Sequence, residues 1–107
     1  MIVKTPKPPY YAVIFTSISE EIREGYENTL NRMLELAQQQ EGYLGIESAK
    51  EEIGITVSYW SSLEAIRNWK MNAEHLIAQE KGRKEWYQNY KTRICLVERD
   101  YEFNTST

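Results

Sequence analysis

From Tyr10 to Ser17 the chain reads Tyr-Tyr-Ala-Val-Ile-Phe-Thr-Ser, with apolar residues at almost every position. A run this rich in β-branched and aromatic side chains predicts a strand. Pro8 and Pro9 set its start, because proline gives a ladder no N–H donor. Both alternating sets, Tyr10/Ala12/Ile14 and Tyr11/Val13/Phe15, are apolar, so the strand is expected to be covered on both sides. The period then becomes helical: Ile22, Tyr26, Leu30, Met33, Leu34 and Ala37 form one stripe, with Glu and Arg opposite. Ser17 to Glu20 has the form of a capping box, with Ser19 as an alternative N-cap. Gly42 marks the stop.

Tyr43 to Ala49 and Ile53 to Trp60 predict two more strands, and the short charged turn Lys50-Glu51-Glu52 makes them antiparallel. Ser61-Ser62-Leu63-Glu64 is a second capping box, opening a helix with Leu63, Ile66 and Trp69 at spacings of three. From Asn72 to Tyr90 the pattern breaks into shorter helical pieces around Gly82, with Trp86, Tyr87 and Tyr90 clustered at one-turn spacing. Thr92 to Phe103 predicts a long last strand, Ile94 and Leu96 on one face and Cys95, Val97, Tyr101 and Phe103 on the other.

The order β-α-β-β-α-β is the ferredoxin-like split βαβ arrangement: an α+β fold with a four-stranded antiparallel sheet and its helices on one face. Two helices leave the other sheet face bare, and its apolar residues predict a homodimer, with the long last strand crossing to the partner. Residues 10–103 form a single domain between an N-terminal arm, 1–9, and a polar tail, 104–107.

Composition narrows the function. Hydrophobic residues are 41% and charged residues 27%, a globular balance. Aromatic residues reach 12%, rich enough in so short a chain to suggest a lined cavity or an aromatic interface. The net charge of −3, with Lys and Arg interleaved with Glu, argues against a nucleic-acid footprint. The one cysteine, Cys95, gives no disulfide framework and fits a reducing cytoplasm. No apolar run has the length of a membrane span or signal peptide.

Few residues carry candidate chemistry. His75 is the only histidine and the only side chain that ordinarily titrates near neutrality, either as acid–base or ligand, or as a surface ring bonded to a carbonyl. Without a supporting Cys or carboxylate constellation it makes no metal site. Trp69 is either core or a wall on which a flat substrate stacks. Trp86, Tyr87 and Tyr90 face the same choice, with the dimer seam a further option. Arg93 is either one half of a salt bridge or a partner for an acidic substrate group.

Tyr59-Trp60-Ser61-Ser62, Glu64-Ala65, Trp69 and His75, together with Gln40-Glu41-Gly42-Tyr43-Leu44-Gly45, resemble the antibiotic biosynthesis monooxygenase domain over roughly residues 10–103. That resemblance implies a dimeric α+β barrel made by two sheets packed face to face, and a pocket in each protomer between sheet and helices. It implies a small-molecule monooxygenase acting on an aromatic or quinol-like substrate with no cofactor. Trp69, Trp86 and Arg93 would then bind substrate, and His75 or Tyr90 would move a proton. A non-catalytic dimer holding a hydrophobic metabolite is the alternative. A third branch of the superfamily degrades haem, with an Asn on the first strand and a Trp and a ligating His ten residues apart. Here Trp69 fits, but Gln79 stands ten residues on and Tyr10 to Ser17 holds no Asn, so haem is disfavoured.

Overall fold

In the computed structural model, which describes residues 2–105, strand β1 (Tyr10–Ser19) runs through the middle of a four-stranded sheet. Around it the chain forms α1 (Tyr26–Gln38), β2 (Tyr43–Lys50), β3 (Gly54–Trp60), α2 (Leu63–Lys70), α3 (Ala73–Lys81), a π-helical turn (Gly82–Trp86) and β4 (Tyr87–Val97). The strand order is β2-β3-β1-β4 and each neighbouring pair is antiparallel. β1 and β2 are therefore parallel with β3 between them, as are β3 and β4 with β1 between. Right-handed crossovers then place α1 and the α2–α3 pair on the same face. This is the expected ferredoxin-like α+β fold, with the second helix split in two.

Register assigns each side chain a face. Tyr11, Val13 and Phe15 lie opposite Trp60, Ser58 and Thr56 of β3 and Leu96, Ile94 and Thr92 of β4, on the helix side. The core there is Trp60, Ala65 and Ile66, with Tyr11, Val13, Tyr43 and Trp69 packed against it. The second capping box works as expected: the Ser62 hydroxyl accepts the Ala65 N–H at 3.0 Å and starts α2. Gly42 allows β2 to begin close beneath α2. Its φ is +87°, and a Cβ there would stand 2.6 Å from the Ala65 Cβ and 2.7 Å from the Ser61 Oγ.

Two expectations are corrected. Ser17 to Ser19 do not start a helix. They remain in β1, paired with Tyr90, Asn89 and Tyr87, and the Glu20 N–H continues to the Trp86 carbonyl at 2.8 Å. Long-range pairing outweighs the local cap, α1 begins only after Gly25 (φ +77°), and Ile22 is 82% exposed. The last strand covers Tyr87–Val97 rather than Thr92–Phe103. Val97 pairs with Tyr10, the first residue of β1, and beyond it the prolines offer no ladder to join. Tyr101 and Phe103, outside any strand, are 84% and 87% exposed.

The far face of the sheet is only partly apolar. Ala12, Ile14, Ile55 and Val57 form its greasy centre, but β4 contributes Asn89, Lys91 and Arg93 beside Cys95 and Val97. The arm and the C-terminal segment cover one end. Val3 sits against Gly45 and donates its N–H to Glu47 at 2.9 Å. Tyr59 donates to the same carboxylate at 2.6 Å, which pushes the Tyr59 phenol up to about 12 and holds Glu47 below its usual range. Thr5 donates to the Tyr10 hydroxyl, which donates to Asp100 at 2.6 Å. Met1 of the arm and Ser106–Thr107 of the tail lie outside the described residues.

Candidate active site

Between the sheet and its helices lies a cavity of about 390 Å³, within the range usual for small-molecule sites. One wall is an aromatic ladder. Tyr43 meets Trp60 edge-on at 5.4 Å, Trp60 stacks on Trp69 at 6.3 Å, and Trp69 stacks on His75 at 4.3 Å and 13°. The other wall is Phe15 with Tyr87 and Tyr90, at 5.4 and 5.0 Å, joined through Tyr26 to Trp86.

A tight corner between two helices places the histidine. Trp69 lies in the last turn of α2, and its carbonyl accepts the Asn72 N–H at 3.1 Å. Asn72 in turn caps α3, its Oδ1 accepting from Glu74 at 3.0 Å and His75 at 3.2 Å. The corner brings His75 back over Trp69, with its Nδ1 3.1 Å from the Trp69 carbonyl. A carbonyl can only accept, which favours a proton on Nδ1. The Gln79 amide N–H, 3.3 Å from the same nitrogen, favours the other tautomer, and the shorter contact to the carbonyl decides for Nδ1–H. Gln79 donates to the Lys70 carbonyl at 2.9 Å and lies beside the ring. From outside, Arg32 of α1 holds Glu74 through two hydrogen bonds of 3.0 Å, bracing the first turn of α3.

The surroundings keep the ring neutral. Burial lowers the His75 pKa, with the Lys70 charge in the same direction and the Trp69 carbonyl opposing. The positive end of α3 also disfavours an imidazolium in its first turn. Neutral with Nδ1–H fixed, the ring has a lone pair at Nε2, which has no partner among the described residues and is not shut away from open space. Two phenols of the cavity remain protonated: burial raises Tyr43, and burial followed by the Tyr26 hydroxyl raises Tyr87. The site therefore holds a base, several hydroxyl donors and flat aromatic walls.

Of the five residues named from sequence, His75, Trp69, Trp86 and Tyr90 line this one cavity. Trp69 and Trp86 are core and wall at once; Trp86 is 3% exposed, with its indole N–H on the Glu24 carbonyl at 3.0 Å. Arg93 does not join them. It lies on the far face opposite Ile14, near Lys91 and Thr16. Lys70, Arg83 and Tyr26 reach the cavity without having been singled out. Tyr26 was legible only as part of the α1 stripe, and no spacing marks the two cations. No group of three His, Cys, Asp or Glu able to hold a metal occurs among the described residues.

The residues do not suit the haem-degrading branch. β1 presents Val13 and Phe15 to the cavity where that pattern has an Asn, and Gln79, at the ligand position, has its amide on the Lys70 carbonyl.

Fold and site together define a small α+β protein with an aromatic pocket, and comparison with known proteins places it. Residues 9–81 match the model of the antibiotic biosynthesis monooxygenase family, and the chain belongs to that family. It is 50% identical over 106 residues to the uncharacterized protein YqjZ of Bacillus subtilis, covering 97% of this chain and 93% of that one. Among solved structures it is similar to protein SO0527 of Shewanella oneidensis, with a TM-score of 0.72 and 10% identity over 90% of this chain and 97% of the other. It is also similar to SnoaB, a cofactor-independent oxygenase of Streptomyces nogalater, with a TM-score of 0.66 and 10% identity over 94% and 100%. At such identities the likeness shows the fold alone.

Proposed function

We propose that this chain is a cofactor-independent monooxygenase that oxidises an electron-rich aromatic, of hydroxyanthrone or quinol type, with molecular oxygen. The observation that carries the reading is the neutral His75 stacked on Trp69 in the cavity wall, with Nδ1–H anchored and Nε2 bare. A flat substrate lies against the aromatic ladder. With a hydroxyanthrone, Nε2 takes a proton from the activated ring CH2, and the resulting carbanion, delocalised over the rings, transfers electrons to O2 and forms a C–O bond. The peroxide takes the proton back and collapses, the O–O bond breaking as water leaves and a C=O forms. One CH2 and one O2 become one C=O and one H2O. The protein positions the substrate, excludes bulk water and moves one proton. Family membership supports this reading, as does the fold shared with SnoaB.

Oxygen uptake against a panel of hydroxyanthrones and quinols tests it. Turnover by the unmodified protein, reduced about 10²-fold or more in His75→Ala, is the expected result. No uptake with any member would leave a non-catalytic ligand carrier as the better account. A Soret band on haem titration that is lost in His75→Ala would restore the third reading.

The working unit under this proposal is a homodimer in the cytoplasm. Ile55 is 45% exposed on the far face, and Tyr101 and Phe103 project from the segment after β4. A second copy is the economical cover for these residues. Among the described residues, no helix is long and apolar enough to cross a membrane.

A further inference from the structure

Acidic residues outnumber basic ones in this chain, 16 to 13, yet the charged residues lining the cavity are Lys70 and Arg83, both cations. The carboxylates of α3 are engaged elsewhere, Glu74 with Arg32 and Glu80 with Lys84, each at 3.0 Å. Arg83 makes no direct ion pair among the described residues; Glu80, which it helps to hold ionised, is bonded to Lys84 instead. The polar contact of Arg83 is the Tyr90 hydroxyl at 3.5 Å, on the ring that packs against Phe15. Lys70, in the last turn of α2, has an ordinary reason to be there, since a cation suits a helix C-terminus. Arg83, in the π-helical turn that continues α3, also suits a helix end, and what sets it apart is its place in the cavity lining with its guanidinium on the Tyr90 hydroxyl.

We propose that the cavity selects aromatic anions, aryl carboxylates above all, with the rings between the Trp69–His75 stack and the Tyr87–Tyr90 wall and the carboxylate on Arg83. This rests on reading the cavity as the substrate site, not on the oxygen chemistry. The planar guanidinium offers paired N–H donors that match a carboxylate. The Tyr90 hydroxyl, accepting from Arg83, keeps its own proton for the same anion. Lys70 adds positive field at the opposite, His75 end and makes no direct contact in this scheme. An aromatic bearing an acid group is thereby held at one end and offered to the histidine at the other.

Calorimetric titration with 1-hydroxy-2-naphthoate and its methyl ester tests the assignment. The unmodified protein should bind the acid about tenfold more tightly than the ester or better. Raising NaCl from about 0.05 to about 0.5 M should weaken only the acid. In Arg83→Gln the preference should fall to about one with ester affinity unchanged, and Arg83→Lys should restore part of it. Equal binding of acid and ester by the unmodified protein overturns the proposal, as does failure of both to bind at about 1 mM. So does a preference that persists in Arg83→Gln; if it is lost instead in Lys70→Gln, the anchor is Lys70 and the assignment to Arg83 is wrong. Binding is read without oxygen, so a protein that selects the acid but consumes no oxygen refutes the oxygenase reading and leaves this one standing.

Discussion

The imidazole of His75 lies on the indole of Trp69, 4.3 Å between centroids, while its Nδ1 meets the carbonyl of the same tryptophan at 3.1 Å. One residue therefore sets both the plane of the ring and its tautomer. The contact spans six positions, across the end of one helix and the capped start of the next.

That arrangement makes stability depend on pH. His75 would titrate near 6.5 if unperturbed, and burial lowers it in the folded protein. Between the two values the unfolded chain holds the extra proton, so stability falls as pH drops below about 6.5 and is flat above it as far as this group is concerned. Melting temperatures from pH 5 to 8 should show a slope in the acid range that flattens in His75→Phe. Activity under the proposed mechanism should also rise through an inflection below 6.5 and then plateau. An inflection above 7 would exclude His75 as the base.

Trp69→Ala removes both the wall and the platform under His75. The residue is half-buried, so a loss of about 2–3 kcal/mol is expected in urea unfolding, below the cost of emptying a fully buried tryptophan site. Trp69→Phe should recover most of that stability. Because the Trp69 carbonyl survives in both variants, the His75 tautomer should persist, and nitrogen-15 shifts of the ring would register it.

Gly42→Ala should destabilise by about 2–4 kcal/mol, combining a positive φ with a Cβ driven into Ala65 and Ser61. The urea midpoint should fall with little change in m. A midpoint within experimental error of the unmodified protein would mean that α2 can move away from β2 at no cost.

The proposed dimer has its own test. Val97 and Ile55 lie on the far face and Val13 on the cavity side. Val97→Asp or Ile55→Asp should bring aggregation or loss of the dimer in light scattering. Val13→Ala should leave the dimer mass unchanged while weakening aromatic ligands. A folded monomer of the unmodified protein at micromolar concentration would contradict the dimer.

Local patterns determined much of this molecule. The alternation in β3, the Ser62 cap and the α1 stripe from Tyr26 to Ala37 were legible because each depends on residues within a turn or two of one another. They suffice for the order of elements, and from that order for the fold class. Trp69 and His75 were legible as candidates because unusual residue types are visible at any spacing. Tertiary structure decided the rest. Ser17-Ile18-Ser19 has a capping signal as good as that of Ser62, but β4 was there to pair with it. Tyr87 and Tyr90 have helical spacing, yet they form the start of that strand. Tyr101 and Phe103 continue an apolar strand pattern, but β1 begins at Tyr10 opposite Val97 and leaves them nothing to pair with. Arg93 took the far face and Arg83 the cavity through the register of one strand and the path of one turn. Side chains far apart in sequence share a pocket only once each strand has its neighbour, and that choice depends on the whole chain.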